Sequence, residues 1–256
     1  MRLLYLFALL VISTLEINAQ NTAVASGEKL VYTASYNMSG ILTDVAQVTM
    51  ETSTVNTSKA TLLRLKCKAL TYSKWDSFFK IRDLYETYVN PKTLTPYLHK
   101  RDINEGTYFK NMKYTFSHKS KTVKSVLTKK NNYVQKKTFS FSAGTKDVVS
   151  TMYHLRLFNY DAMRVGTKKS FKILFDRKEV SAQITYLGKE TINTAIGNKT
   201  CYKLAITANA DNVLKGSNNN LIWLTADSNK IMVYGKFKIP VGNGELKIKT
   251  ASGLKN

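Results

Sequence analysis

Apolar and cationic residues alternate with a period of two over strand-length stretches of this chain. Leu63-Arg64-Leu65-Lys66-Cys67-Lys68-Ala69 is the clearest run, and Lys236-Phe237-Lys238-Ile239 and Lys247-Ile248-Lys249 repeat it. In an extended strand successive side chains leave on opposite faces, so each run has one apolar and one charged face. The chain is therefore expected to build sheet with a buried side and a positive solvent side. Lysine and arginine number 39 against 17 acidic residues, a formal net charge of +22. Hydrophobic residues make up 43%, enough for a core, and only 3 prolines argue against linkers and disorder.

Strand-like runs recur from Leu30 to Thr250, separated by turn signals such as Asn37-Met38-Ser39-Gly40 and Asn90-Pro91-Lys92-Thr93. About fourteen are expected, some eight before a short helix and six after it. The helix is expected near 147–159, with Val148, Val149, Met152, Leu155 and Arg156 at helical spacing and Asp147 as N-cap. Tyr72 to Phe79 has the pattern of a single helical turn carrying Trp75, Phe78 and Phe79. So many strands close, curl or split into packed sheets. The expected class is all-β: a large, strongly curved antiparallel sheet, a half-barrel or barrel-like sandwich. With no linker composition along the chain, 21–256 is expected to be a single domain.

Residues 1–20 read as a signal peptide. Arg2 precedes an apolar run from Leu3 to Ile12, too short for a bilayer span, and Ile17-Asn18-Ala19 offers cleavage near Ala19 or Gln20. The expected location is periplasmic or secreted, with no transmembrane span in the mature chain. An oxidising compartment favours a disulfide between Cys67 and Cys201. Strand phase argues against it: Cys67 is in phase with Leu63 and Leu65, whereas Cys201 is out of phase with Tyr202 and Leu204.

The chain carries no pattern for a cofactor. His99, His118 and His154 are far apart, no cysteine pair has zinc spacing, and phosphate loops and nucleophile elbows are absent. No catalytic or metal-binding residue is assigned, and the protein is expected not to be an enzyme. One segment gathers carboxylates among aromatics: Trp75, Phe79, Arg82, Asp83, Tyr85, Tyr88, Tyr97, Arg101 and Glu105 form a candidate ligand-binding patch. Paired carboxylates on an aromatic platform also build sugar-cleaving sites. The simpler reading is that Asp83 and Glu86, alternating with Arg82 and Lys80, form cross-strand ion pairs. Residues 107–146 hold ten lysines and no acid. Lys121, Lys124, Lys129, Lys130, Lys136 and Lys137 are the candidate anion-binding set; a lysine-rich edge that prevents aggregation is the alternative.

A series of short patterns resembles an uncharacterised family of exported bacterial β-proteins, domain of unknown function 3108. It begins with Gly27-Glu28-Lys29-Leu30-Val31-Tyr32 and continues through Arg82-Asp83-Leu84-Tyr85-Glu86-Thr87-Tyr88-Val89-Asn90 and Leu94-Thr95-Pro96. Glu105-Gly106, Asp147-Val148-Val149-Ser150-Thr151-Met152-Tyr153, Gly188-Lys189-Glu190 and Cys201-Tyr202-Lys203-Leu204 follow in order. Ile222-Trp223-Leu224-Thr225-Ala226-Asp227 and Gly244-Glu245-Leu246 complete it. Asn90 stands where the family pattern has Asp. The resemblance implies an all-β, strongly curved sheet and no particular activity. In overall form such a sheet is also similar to periplasmic lipoprotein carriers, whose half-barrels hold acyl chains.

The expected function is a non-enzymatic envelope protein binding an amphiphilic or anionic ligand. Export leaves anionic lipid, lipopolysaccharide or acidic glycan as partners, and not nucleic acid. Binding or processing of an acidic polysaccharide and a structural place in an envelope assembly are the alternatives.

Overall fold

The computed structural model describes residues 20–38, 40–208, 220–239 and 242–256. The expected signal peptide lies outside the described residues except for Gln20, as do Ser39 of the expected first turn and Pro240 of an expected strand. No helix among the described residues is long and apolar enough to cross a membrane.

Among the described residues fifteen strands form one sheet. The first half comprises β1 (Lys29–Met38), β2 (Ile41–Asn56), β3 (Thr61–Thr71), β4 (Arg82–Val89), β5 (Pro96–Glu105), β6 (Tyr108–Ser117), β7 (Thr122–Lys129) and β8 (Val134–Ser140). The second comprises β9 (Lys146–Asp147), β10 (Lys168–Phe175), β11 (Lys178–Thr194), β12 (Gly197–Ala208), β13 (Leu221–Thr225), β14 (Met232–Ile239) and β15 (Gly242–Ser252). The first half is a meander, and so is the second from β10 to β15. The two join where β1 pairs with β15, so the order runs from β8 back to β1, across to β15 and back to β9. Hydrogen-bonded pairing does not close the sheet, which ends at β8 and β9.

The period-two pattern sets which face is buried. Leu63 and Leu65 are buried, while Arg64 and Lys66 on the other face reach Glu86 and Glu51. Inside the curl, Leu30, Tyr32, Met50 and Leu65 of the first half meet Ile184, Leu204, Ile222 and Met232 of the second in one cluster. Helix α1 (Val148–His154) enters that core with Val149 and Tyr153. A smaller cluster joins Met112, Tyr114, Phe116, Val123 and Leu127 to Phe141 and Leu174. Cys67 and Cys201 are unpaired.

Three local details sharpen the expectations. The sheet is not wholly antiparallel, because the two-residue β9 pairs parallel with β10. The short helix expected near 147–159 is present: α-helix over Val148–His154, tightening after His154 into a 3-10 turn, Leu155–Leu157. Tyr160 donates to the Leu155 carbonyl, so a tertiary partner takes a group that another helical turn would need. The single helical turn expected in Tyr72–Phe79 is a 3-10 turn over Ser73–Trp75. Asp147 is the N-cap as expected, accepting from Val149 N and Ser150 N at 3.0 Å each.

Side chains bridge the open side of the curl. Asp147, fully buried, accepts from the Thr87 hydroxyl of β4 at 2.7 Å and lies 3.2 Å from His99 Nδ1 of β5. Burial alone would raise its carboxyl, but His99, Ser150 and Thr87 bring it down to about 2. At the β10–β11 turn, Asp176 accepts from Arg101 of β5 at 2.8 Å and Lys110 of β6 at 2.7 Å. The next residue's amide, Arg177 N, donates to Tyr114 Oη at 2.8 Å.

An up-and-down sheet has two ends. The described residues ahead of β1, the C-terminal residues and the β4–β5 and β13–β14 turns gather at one. There Arg156 sends two bonds to Glu28, at 2.6 and 2.7 Å, one to Ala23 O and one to Asn229 O, with both charged side chains buried. Asn21 donates to the carbonyls of Val24 and Pro91, and Asn229 and Asn256 bond each other. This end is sealed. The turns β1–β2, β3–β4, β5–β6, β7–β8 and β14–β15 lie at the other end, the mouth.

Candidate functional site

The inside of the curl is filled toward the sealed end and hollow toward the mouth. Between the helix and the sheet lies a cavity of about 10 Å³, beside Tyr32, Met152 and Met232. At the mouth a chamber of about 600 Å³ opens, lined almost wholly by apolar groups. Its walls are Ala34 and Tyr36 of β1, Val45 of β2, Phe237 of β14 and Leu246 of β15, with Ile81 and Thr71 beside them. Trp75, Phe78 and Phe79, from the β3–β4 connection, line it from above.

Local sequence explains each wall. Ala34, Leu246 and Phe237 continue the inward phase of Tyr32, Ile248 and Ile222. A bulge between Ala34 and Ser35 makes Val45 the extra residue of β2 and turns it to the chamber. Gly235 occupies the inward position beside Phe237, where a Cβ would meet the Phe237 ring at 2.8 Å. The absent side chain leaves the ring its place.

The β3–β4 connection is tied at its base rather than along its length. Trp75 Nε1 donates to Asp44 O at 2.9 Å, and Asp76 accepts from Thr71 Oγ1 at 2.7 Å and from Arg82 at 2.5 Å. Past these bonds Phe78 and Phe79 stand 80% and 55% exposed. Two adjacent phenylalanines so open to water are unusual in a chain with room for them in a core.

The aromatic and carboxylate segment does not converge on one point. Trp75 and Phe79 line the chamber, and Arg82 braces their loop. Asp83, Tyr85, Arg101 and Glu105 point inward below it. Asp83 accepts from Asn104 N at 3.0 Å, and burial, with help from Glu105, raises its carboxyl to about 6. The Arg101 guanidinium sits between the Tyr85 and Phe175 rings, 5.4 and 4.7 Å from their centres. Burial pushes the Tyr85 hydroxyl up to about 12. Tyr88 faces outward under Lys100, and Tyr97 stands at the far end of β5 against His118. The ion-pair expectation holds for Glu86, which reaches Arg64 at 3.6 Å, but Asp83 is buried on the opposite face.

The lysine set is also divided. On the outer face one row reads Lys29, Glu51, Lys66, Glu86, Lys100, Lys113, Val126, Lys136 across β1 to β8. Charges alternate as far as β5, and there the acids end. Lys124 and Lys136 share this uncompensated wing with Lys113; Lys129 and Lys137 take the opposite phase. Lys121 and Lys130 sit in turns, and all six candidates are exposed. A separate outer cleft of about 930 Å³ lies between Lys74, Lys247, Lys249, Asp44 and the tip of the β11–β12 hairpin.

Sequence reasoning missed most of the chamber. Val45, Ile81, Phe237 and Leu246 looked like ordinary inward strand residues, and nothing local marks which of them meet a filled core and which a hollow. The adjacent pair Phe78-Phe79, within a polar connection, was the readable signal.

Comparison with known proteins agrees with this architecture. The profile of a family described as protein of unknown function, DUF3108, matches residues 31–249. No curated protein matches the chain. Among solved structures, a β-barrel-like protein of domain of unknown function DUF1849 from Brucella abortus aligns with a TM-score of 0.60 at 9% identity, over 90% of this chain and 98% of its own. A protein from Bacteroides fragilis described as exported, with a YmcC-like fold, aligns at 0.34 and 8% identity, over 91% and 99%. One from Parabacteroides distasonis described as a lipoprotein aligns at 0.35 and 11%, over 90% and 97%.

Proposed function

The chain belongs to the DUF3108 family, whose function is unknown, and we propose that it is an exported, non-enzymatic envelope protein that holds the apolar part of an amphiphile in the mouth chamber. The observation that carries this reading is the chamber itself: about 600 Å³ of apolar space under a half-exposed aromatic lid. Its size is that of small-ligand sites, about 300–1,000 Å³. A lipid acyl chain or the lipid of a lipoprotein fits its chemistry. The polar head would stay at the mouth, where Ser35 and Glu245 border the chamber. The signal-like residues 1–20 support export to a compartment where such ligands exist.

Two features weigh against sugar cleavage at the predicted segment. Asp83 is buried, accepts from the Asn104 amide and has Glu105 near enough to help raise its carboxyl, whereas glycosidase carboxyls stand about 5–9.5 Å apart around an accessible scissile bond. Tyr88 and Tyr97 also lie off this face. An acidic glycan retains one foothold, the lysine-lined outer cleft.

The test uses Trp75 as reporter in a Trp223→Phe background, since the chain has 2 tryptophans. Titration with a long-chain lysophospholipid should shift Trp75 emission to the blue with saturation. Ala34→Phe, which fills the chamber from its wall, should weaken binding at least about tenfold. Unchanged affinity in Ala34→Phe, or no response to any chain length, overturns the reading.

A further inference from the structure

Nine large hydrophobic side chains are exposed among the described residues, and seven of them lie at the mouth: Ile41, Leu42, Phe78, Phe79, Tyr108, Tyr133 and Val134. They occupy four successive turns, β1–β2, β3–β4, β5–β6 and β7–β8. In this meander those turns follow one another along a single rim. Neighbouring turns touch: Gly106 N donates to Lys80 O at 2.8 Å, and Ile81 bridges to Glu105. Only Tyr97 and Val165 fall elsewhere. Chance scatter of exposed apolar residues would not select one end of the strands.

Cations share the rim. Lys129 and Lys130 occupy the β7–β8 turn beside Tyr133, and neither forms an ion pair among the described residues. Behind them the outer face of β6 to β8 carries the uncompensated Lys113, Lys124 and Lys136. Isolated apolar tips separated by lysines do not make the continuous dry patch that a protein interface buries. They match a bilayer interface, where aromatic and aliphatic tips enter the headgroup layer and lysines meet phosphates.

We propose that the mouth rim docks on the surface of an anionic lipid bilayer, with Ile41, Phe78 and Tyr133 entering the headgroup region and Lys129 and Lys130 meeting lipid phosphates. The chamber opens on the same rim, so docking would place it against the membrane from which an amphiphile enters or leaves. This last step rests on the reading of the chamber given above; docking itself does not.

Cosedimentation of the purified protein with phosphatidylcholine vesicles, with and without phosphatidylglycerol, tests it. Binding should require phosphatidylglycerol and weaken with salt. Ile41→Ser with Tyr133→Ser should reduce it about tenfold, through lost insertion. Lys129→Gln with Lys130→Gln should reduce it by a similar factor at low salt. None of these four residues lines the chamber, so the lysophospholipid titration should be unchanged in both variants. That separates failure of docking from failure of the chamber reading. Equal binding to both vesicle types, full binding by Ile41→Ser with Tyr133→Ser, or displacement by inorganic phosphate at constant ionic strength each overturns docking. The last outcome would point to a phosphate site instead of a surface.

Discussion

At the sealed end the chain buries charge, and at the mouth it exposes hydrocarbon. Arg156 and Glu28 are both removed from water at the first, tied by two bonds to each other and by further bonds from Arg156 to backbone carbonyls. Phe78 and Ile41, 80% and 70% exposed, stand in water at the second. The two ends belong to the same strands. The sheet can plainly satisfy polar groups and cover apolar ones, since it does both at one end. The contrast teaches that the mouth is not a poorly folded edge: its lid is anchored by Trp75 and Asp76, and Phe78 and Phe79 stand open beyond those anchors.

The largest break in this comparison should come from Arg156→Ala. It strands the Glu28 carboxylate in the core, which costs about 3–5 kcal/mol. Urea unfolding should show the loss as a lower midpoint with little change in slope; a loss under about 1 kcal/mol would mean that the sealed end is not what holds the curl together.

Asp83 lies between the two ends and should give a smaller, pH-dependent effect. Its folded carboxyl titrates at about 6 against an ordinary value near 4. A raised acid favours the protonated native state, so its cost is absent below about pH 4, grows between about pH 4 and 6, and is constant above. Asp83→Asn should therefore be more stable than the parent at pH 7 by about 1–2 kcal/mol and equal to it at about pH 4. Thermal melts of both proteins across that range check the sign. A parent that gains stability on going from pH 4 to 6 relative to the variant would contradict the buried position.

Phe78→Ser should be the quietest change in stability, within about 0.5 kcal/mol, because the side chain is already in water. The same substitution should weaken both lysophospholipid and vesicle binding. A destabilisation approaching that of Arg156→Ala would show that the lid is a structural closure and that the two ends are alike.

Much of the architecture was legible in residue order. Period two marked β3, β14 and β15 and set their buried faces; Asp147 announced the start of α1. The six strands expected after the helix are present, and the eight before it are joined by β9. Two residues carry no period, so β9 could not be read. The last turn of the helix takes 3-10 form where Tyr160 bonds the Leu155 carbonyl and Arg156 reaches Glu28, partners that helical spacing does not reveal. The candidate segment from Trp75 to Glu105 gave two chamber residues and the brace Arg82, then divided, since alternate residues of β4 point to opposite faces. The lysine set divided for the same reason. Asp83 was readable as unusual, with an ion pair and a ligand-binding patch as its two readings; the structure buries it beside Asn104 and Glu105, away from the face on which Glu86 meets Arg64.

The sequence alone determined an all-β chain, a positive exterior and an apolar interior, because these follow from strand phase and composition, which are local. The tertiary structure alone decided which end is sealed and which is hollow. Glu28 meets Arg156 across 128 positions, and Val45 and Phe237 line one chamber from opposite ends of the chain. Such meetings depend on the pairing of β1 with β15, on single-residue bulges and on the curl of the whole sheet. A shift of one residue in register would reverse every face of a strand, and which strands meet across the curl is not written in the alternation of any one of them.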